Sequence, residues 1–260
     1  MIDFSGKRGL VLGVGNQRSI AWAVVERLHQ QGAELGLTFL RDPKGRFEAN
    51  VRKLGEQTSA TLIAECDVAS DESIEALIKR VDEQWGELDF LVHSLAYADT
   101  QDLSKPFSET LRGGFNKAME ISAYSLLPLA KGVIPMMRKR GGGSIVSMSF
   151  IGSTLAVPNY NVMGPAKAAL ESCTRYLARE LGPENIRINS LSPGAIRTLS
   201  SAGIKDISEM IRVAGEHSAM KRTATQAEVA NTAAFLLSDA ASGITGQLIY
   251  VDCGYSIMAN

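Results

Sequence analysis

The chain is poor in the residues from which many active sites are built. It has three histidines in 260 residues, and His29, His93 and His217 lie far apart. A His-based metal site or catalytic triad has little to build on, and no metal is expected. The three cysteines, Cys66, Cys173 and Cys253, are odd in number, dispersed and without metal-ligand spacing. A reduced cytoplasmic setting fits that usage. Charge of one sign is also lacking. The net charge is −1, with both signs scattered along the chain, which argues against nucleic acid or a membrane surface as a partner. No apolar run approaches a membrane span, and Met1–Arg8 has no signal-peptide core. Repeats, low-complexity tracts and long linkers are missing too, so nothing divides the chain into domains.

Short apolar strands and amphipathic helices alternate instead. Strands are expected at Gly9–Gly13, Glu34–Leu40, Leu62–Cys66, Asp89–His93, Ser144–Met148, Ile186–Leu191 and Gln247–Val251. Helices are expected at Ser19–Gln31, Phe47–Leu54, Asp71–Trp85 behind a Ser70 cap, about Phe115–Arg140, Tyr160–Leu181 and Gln226–Leu237. Strands without clean polar alternation are buried on both faces. The fold class is therefore α/β: one Rossmann-type doubly wound parallel sheet over residues 1–260, with helices on both faces. In such sheets ligands bind beyond the carboxyl ends of the strands. The informative loops follow Leu12, Phe39, Cys66, His93, Met148 and Leu191.

The first of these loops reads Gly13-Val-Gly-Asn-Gln-Arg-Ser19-Ile20-Ala21. Glycine admits a pyrophosphate close to the backbone, and the following helix N-terminus attracts its charge. The spacing departs from G-x-G-x-x-G, because Arg18 holds the third glycine position. An ordinary glycine turn with Ser19 as helix cap explains the same residues. The second strand ends Thr38-Phe-Leu-Arg-Asp42 with no acid at its tip. Arg41 suits a 2′-phosphate, or else belongs with Lys44 and Arg46 to a solvated cluster. The preferred cofactor is NADH, with NADPH as the alternative. Asp67 and Val68, after the third strand, either meet the adenine edge or cap a turn. Ser94-Leu-Ala96 after the fourth strand would let a cofactor lie against the backbone.

Tyr160 and Lys167 are seven residues apart in Pro158-Asn-Tyr-Asn-Val-Met-Gly-Pro-Ala-Lys-Ala-Ala-Leu170. On one helix they would share a face, about 10 Å apart along the axis. A phenol and an ammonium so placed suit a ligand with an oxygen to polarise and hydroxyls to hold. An exposed Tyr and Lys at helical spacing is the bland alternative, but the pair follows the fifth strand, at the ligand end of the sheet. Pro165 lies between them, so the helix either bends there or begins late.

With these loops placed, the chain resembles the short-chain dehydrogenase superfamily, and within it the bacterial enoyl-(acyl-carrier-protein) reductases. The likeness runs along the whole chain. It is carried by Gly13…Ser19-Ile-Ala21, Cys66-Asp-Val68, His93-Ser94, Ile121-Ser-Ala-Tyr-Ser125, Pro158 to Gly164 with Lys167, and Ile196-Arg-Thr-Leu199…Gly203-Ile-Lys-Asp206. The usual dehydrogenase spaces its Tyr and Lys by four, about 6 Å on a helix. The resemblance implies reduction of the 2,3 double bond of an enoyl thioester in type II fatty acid synthesis. Hydride would reach C3, charge would collect on the thioester oxygen, and C2 would be protonated later. Tyr160 would donate a hydrogen bond to that oxygen, and Lys167 would hold the nicotinamide ribose. Ile196 and Thr198 would meet the carboxamide and phosphates. Ala96, Tyr97, Phe150, Met163, Ile204 and Ile207 would line the acyl pocket, with a lid around residues 195–215. The Ile and Met spacing of that segment equally suits an ordinary amphipathic helix. Many relatives carry a second tyrosine ten residues before the first; this chain has Phe150 there, as mycobacterial relatives do.

The resemblance further implies an acyl carrier protein as partner and a homotetramer. Lys205 and Arg212 are candidates for a basic rim facing that acidic carrier, with Glu209 between them weakening the case. Two other functions stay open. A carbonyl or hydroxyl dehydrogenase would use Ser147, thirteen residues before Tyr160, but no Tyr-x-x-x-Lys exists in the chain. A dinucleotide sensor would bind without turnover, against which Tyr160, Lys167 and Thr198 speak.

Overall fold

The computed structural model describes residues 2–198 and 200–259. Among these residues seven strands form one sheet: β1 (Arg8–Leu12), β2 (Glu34–Phe39), β3 (Leu62–Glu65), β4 (Phe90–His93), β5 (Gly143–Met148), β6 (Ile186–Pro193) and β7 (Leu248–Val251). Their order is β3-β2-β1-β4-β5-β6-β7, and every pairing is parallel. The chain leaves β1 in one direction for β2 and β3, then returns past it to β4. The switch point lies between β1 and β4, where Leu12 pairs with His93. A crevice opens there because the connections on either side depart to opposite faces.

Two apolar layers sandwich the sheet. On one face Ile74, Leu77 and Val81 of α3 (Asp71–Trp85) pack with Leu126, Leu129 and Val133 of α6 (Leu126–Lys139) and Leu170 of α7 (Met163–Leu181). On the other, Val24, Val25 and Leu28 of α1 (Ile20–Gln30) meet Val51 of α2 (Arg46–Gln57) and Ala233 of α9 (Gln226–Leu237). Strands covered on both sides are mostly apolar, as β4 is, with Phe90, Leu91, Val92 and the terminal His93 all buried. Two further helices border the crevice, α4 (Thr100–Ser104) and α8 (Ile207–His217), and α5 (Arg112–Met119) lies between them in the chain. No helix among the described residues is long and apolar enough to cross a membrane.

Two helices differ from the sequence expectation. The long helix expected over Phe115–Arg140 is broken by a π-helical turn at Glu120–Tyr124. Pro128 has no N–H for the Tyr124 carbonyl, and the Ser125 N–H reaches back to the Glu120 carbonyl at 3.0 Å, five residues away. The helix expected over Tyr160–Leu181 begins at Met163 instead. Pro165 then falls in its first turn, where no N–H is needed. Tyr160 sits in the preceding turn, between Asn159 (φ 60°) and Asn161 (φ 39°), both in the left-handed region that asparagine tolerates best after glycine. Seven residues of continuous helix do not separate Tyr160 from Lys167, so the helical-axis spacing of about 10 Å does not apply.

Candidate active site

A cleft of about 430 Å³ opens at the carboxyl end of the sheet, over the switch point. Its nucleotide end is shaped by Gly13, which leaves β1 at φ 94°. A Cβ there would lie 1.9 Å from the Ser94 carbonyl oxygen. Only glycine lets these two strand ends close up, so the loop after β1 and the loop after β4 form one continuous floor. The Ser19 hydroxyl caps α1 by accepting from the Trp22 N–H at 3.3 Å, and donates to the Asn16 carbonyl at 2.7 Å. Ser19 and Ile20 therefore present the positive end of α1 to the cleft. A diphosphate fits this cradle.

Lys167 is 3% exposed and lines the same cleft. Its ammonium donates to the Met148 carbonyl at 2.7 Å, at the end of β5, and to the Leu95 carbonyl at 3.0 Å, just beyond β4. Burial lowers its pKa to about 8, and the Glu171 carboxylate opposes that fall. His93, at the end of β4, is wholly buried, with its Nε2 2.8 Å from the Ser125 hydroxyl. Burial, then the nearby Lys167 charge, brings its pKa down to about 3. It is a neutral imidazole at neutral pH.

Tyr160 lines the cleft across from this cation. Its ring packs on Phe150, with centroids 4.8 Å apart and planes tilted by 56°. The backbone of Gly152 also abuts the ring; a Cβ there would stand 2.4 Å from the tyrosine Cδ1. Burial, then the Glu171 charge, pushes the phenol pKa well up. The hydroxyl keeps its proton at neutral pH and serves as a donor. The flanking asparagines fix the turn from both sides. The Asn161 amide donates to the Leu103 and Lys105 carbonyls at 3.1 and 2.7 Å. The Asn159 amide donates to the Lys205 carbonyl at 3.2 Å.

The π turn reaches the site through Ser122, whose hydroxyl accepts from the Tyr97 N–H at 3.0 Å and donates to the Tyr97 carbonyl at 3.2 Å. Tyr97 in turn donates from its hydroxyl to Asp99 at 2.7 Å, with Lys117 beside both. Ala96 and Met163 complete the inner wall, and Ile204 and Ile207 lean over it from the outer side. The loop carrying Ile196 and Thr198 is closed by Ser201, whose hydroxyl accepts from the Thr198 N–H at 2.8 Å and donates to the Ile196 carbonyl. Leu199 of the Arg-Thr-Leu run lies outside the described residues.

Most of the expected site residues thus meet in one cleft: Gly13, Ser19, Ile20, Ser94, Lys167, Ile196 and Thr198 at one end, and Ala96, Tyr97, Phe150, Tyr160, Met163, Ile204 and Ile207 at the other. Asp67 and Val68 do not line it. Asp67 accepts from the Ala69 N–H at 3.0 Å, and Val68 is buried in the core. Arg41 is held by Glu65 at 2.6 Å rather than free. Arg212 is paired with Glu209 and Glu216 on its own helix, so it offers little to an acidic partner. Ser147 faces the sheet interior, 2.8 Å from the Ser190 hydroxyl, and does not line the cleft. Met210, which shares the apolar spacing of Ile207 in the expected lid, also lines the cleft. Reading the sequence missed Thr100 and Leu103 on α4 and Ser149, which do too; the short α4 carried no signal.

Among the described residues no cluster of His, Cys, Asp and Glu has metal-binding geometry. The family described as enoyl-(acyl carrier protein) reductase matches residues 13–256. The NADH-type enoyl-(acyl-carrier-protein) reductase of Synechocystis is 52% identical over 99% of both chains. The reductase of Anaplasma phagocytophilum, solved in complex with NAD, is 39% identical with a TM-score of 0.93, covering 99% of this chain and 96% of that one. The Bacillus cereus reductase, solved with NADP+ and indole naphthyridinone, is 41% identical with a TM-score of 0.95 over all of both chains. A phenol donor and a buried ammonium in one cleft, on this sheet and with this full-length likeness, have one common explanation: the chain belongs to the enoyl-(acyl-carrier-protein) reductase family.

Proposed function

We propose that the protein reduces the 2,3 double bond of a trans-2-enoyl thioester, with NADH as reductant, in type II fatty acid synthesis. The observation that carries this reading is the placement of the Tyr160 hydroxyl and the Lys167 ammonium on one cleft with an apolar outer wall. The Gly13 floor, the α1 N-terminus and the Lys167 ammonium fit a dinucleotide, which when bound supplies hydride to C3. Tyr160 donates a hydrogen bond to the thioester oxygen. That bond strengthens as negative charge gathers there, so it lowers the barrier more than it tightens the ground state. Lys167 would hold the ribose hydroxyls of the bound cofactor, and its charge adds positive potential to the cleft. Phe150 offers no hydroxyl, so it acts as an apolar wall that sets the Tyr160 ring. Ile204, Ile207 and Met210 cover the acyl chain and keep water out.

NADH is favoured over NADPH because Glu65 occupies Arg41, a cation two residues beyond β2. A 2′-phosphate would have to displace that carboxylate. Asp67 remains exposed at the end of β3, on the side where the adenosine would extend. The substrate arrives on an acyl carrier protein, and Lys205, exposed at the lid, is a basic contact for it. The enzyme works as a homotetramer in the cytoplasm. In support of assembly, Tyr124 and Tyr176 expose 50% and 73% of their surface on neighbouring helical elements, and Ile257 exposes 80% near the C-terminus.

The deciding experiment mixes the protein with NADH and either a crotonyl thioester or a simple ketone, and follows nicotinamide absorbance. Oxidation with the thioester alone supports the reading. Oxidation with the ketone alone makes the protein a carbonyl reductase, and tight NADH binding with neither reaction makes it a sensor.

A further inference from the structure

Lys167 is a buried cation, and burial by itself favours its neutral form. On its own face of α7, one turn later, stands Glu171, itself only 7% exposed. The Glu171 carboxyl accepts a hydrogen bond from the Ser149 hydroxyl. Ser149 lines the cleft, next to Phe150 in the chain. The other elements packed around Lys167 offer no second acid. From β4 comes His93, and from the turn before α7 comes Tyr160; both are neutral at neutral pH. The loop after β4 and the last residue of β5 give only the Leu95 and Met148 carbonyls. Among the described residues Glu171 is the counter-charge of this pocket.

We propose that Glu171 is a positioning residue for the reductase reaction: it keeps Lys167 in its ammonium form and, through Ser149, fixes the wall that carries Phe150 and Tyr160. The inference rests on the function proposed above. It explains why a carboxylate is retained in the interior of α7, where desolvation costs several kcal/mol per ion in general. It also gives Ser149, which bears no role in the enolate contact, a reason to donate its hydroxyl to α7.

The test compares Glu171→Gln, Glu171→Met and Glu171→Asp with the native protein across pH. NADH affinity is read from nicotinamide fluorescence, and kcat/KM from a crotonyl thioester. In the native protein both fall as Lys167 loses its proton, near pH 8. In Glu171→Gln and Glu171→Met the fall moves about one pH unit lower, the size of effect that one nearby charge exerts. Glu171→Asp, which keeps the charge, moves it less. Two charge-removing variants guard against a folding failure of either. A fall at the native pH in both of them overturns the proposal, as does a Glu171→Asp profile shifted as far as theirs. The binding profile needs no turnover. NADH binding without enoyl reduction in the native protein would therefore sink the proposed function while still reading out Glu171.

Discussion

The ring of Phe150 lies 4.8 Å from that of Tyr160, tilted by 56°, and the Gly152 backbone abuts the tyrosine ring. The phenol is thereby held by an aromatic neighbour and a glycine that has no room for a side chain. Its aim at the cleft depends on this grip. Gly152→Ala forces the tyrosine ring to move, because the new Cβ would stand 2.4 Å from Cδ1. A misplacement of roughly 1 Å costs about 100-fold in rate. The expected outcome is a kcat reduced by about that factor, with NADH affinity unchanged, since Gly152 does not line the nucleotide end. Steady-state kinetics beside a fluorescence titration check both halves.

The Arg41–Glu65 pair predicts coenzyme choice. Glu65→Gln removes the carboxylate that occupies the guanidinium and leaves the volume unchanged. NADPH affinity should rise about two- to fivefold relative to NADH, a modest gain because the pair is solvent-exposed. The ratio of kcat/KM for the two coenzymes measures it. Arg41→Ala should leave NADH use intact and abolish that gain in the double variant.

His93 makes stability depend on acid. Its folded pKa is about 3 against an ordinary 6.5. Below about pH 6.5 the unfolded chain binds a proton that the folded chain refuses until about pH 3. Stability therefore falls as pH drops through that window. His93→Gln has no such proton to take up, and its amide can still meet the Ser125 hydroxyl. Urea midpoints between pH 7 and pH 4 should decline less steeply in the variant than in the native protein.

The apolar outer wall predicts chain-length selectivity. Ile204→Ala removes part of the cover over the acyl chain. KM for a long enoyl thioester should rise about tenfold, while KM for a crotonyl thioester, too short to reach the wall, should stay near its native value. Equal effects on both substrates would place Ile204 at the reacting end.

Much of this site was legible in the sequence because it rests on backbone placement. Short apolar runs located all seven strands, and parallel order put Gly13, Ser94, Phe150 and Ile196 at one end of the sheet. What escaped depends on three-dimensional detail that no local pattern encodes. Pro165 marked a disturbance in the catalytic helix, and the structure turns it into a late start that leaves Tyr160 in a turn. Pro128 sat inside an otherwise helical pattern, and the π turn before it brings Ser122 and Ser125 to partners in Tyr97 and His93 that no local pattern names. Nothing in the local pattern of the sequence sets Glu171 apart from the other acids of the chain. Its burial follows from the helix rotation that aims Lys167 inward, which brings the residue one turn later inward with it.

The rate of Tyr160→Phe with NADH and a crotonyl thioester tests the central claim most directly. The variant keeps the ring, its packing on Phe150 and the fit against Gly152, and loses only the donor. Removing one such donor costs about 100- to 1,000-fold in kcat, so a loss of that size with unchanged NADH affinity is predicted. A kcat within about twofold of the native value, less than the ~0.5 kcal/mol at which even a weak hydrogen bond counts, would contradict the assignment of that hydroxyl to the thioester oxygen.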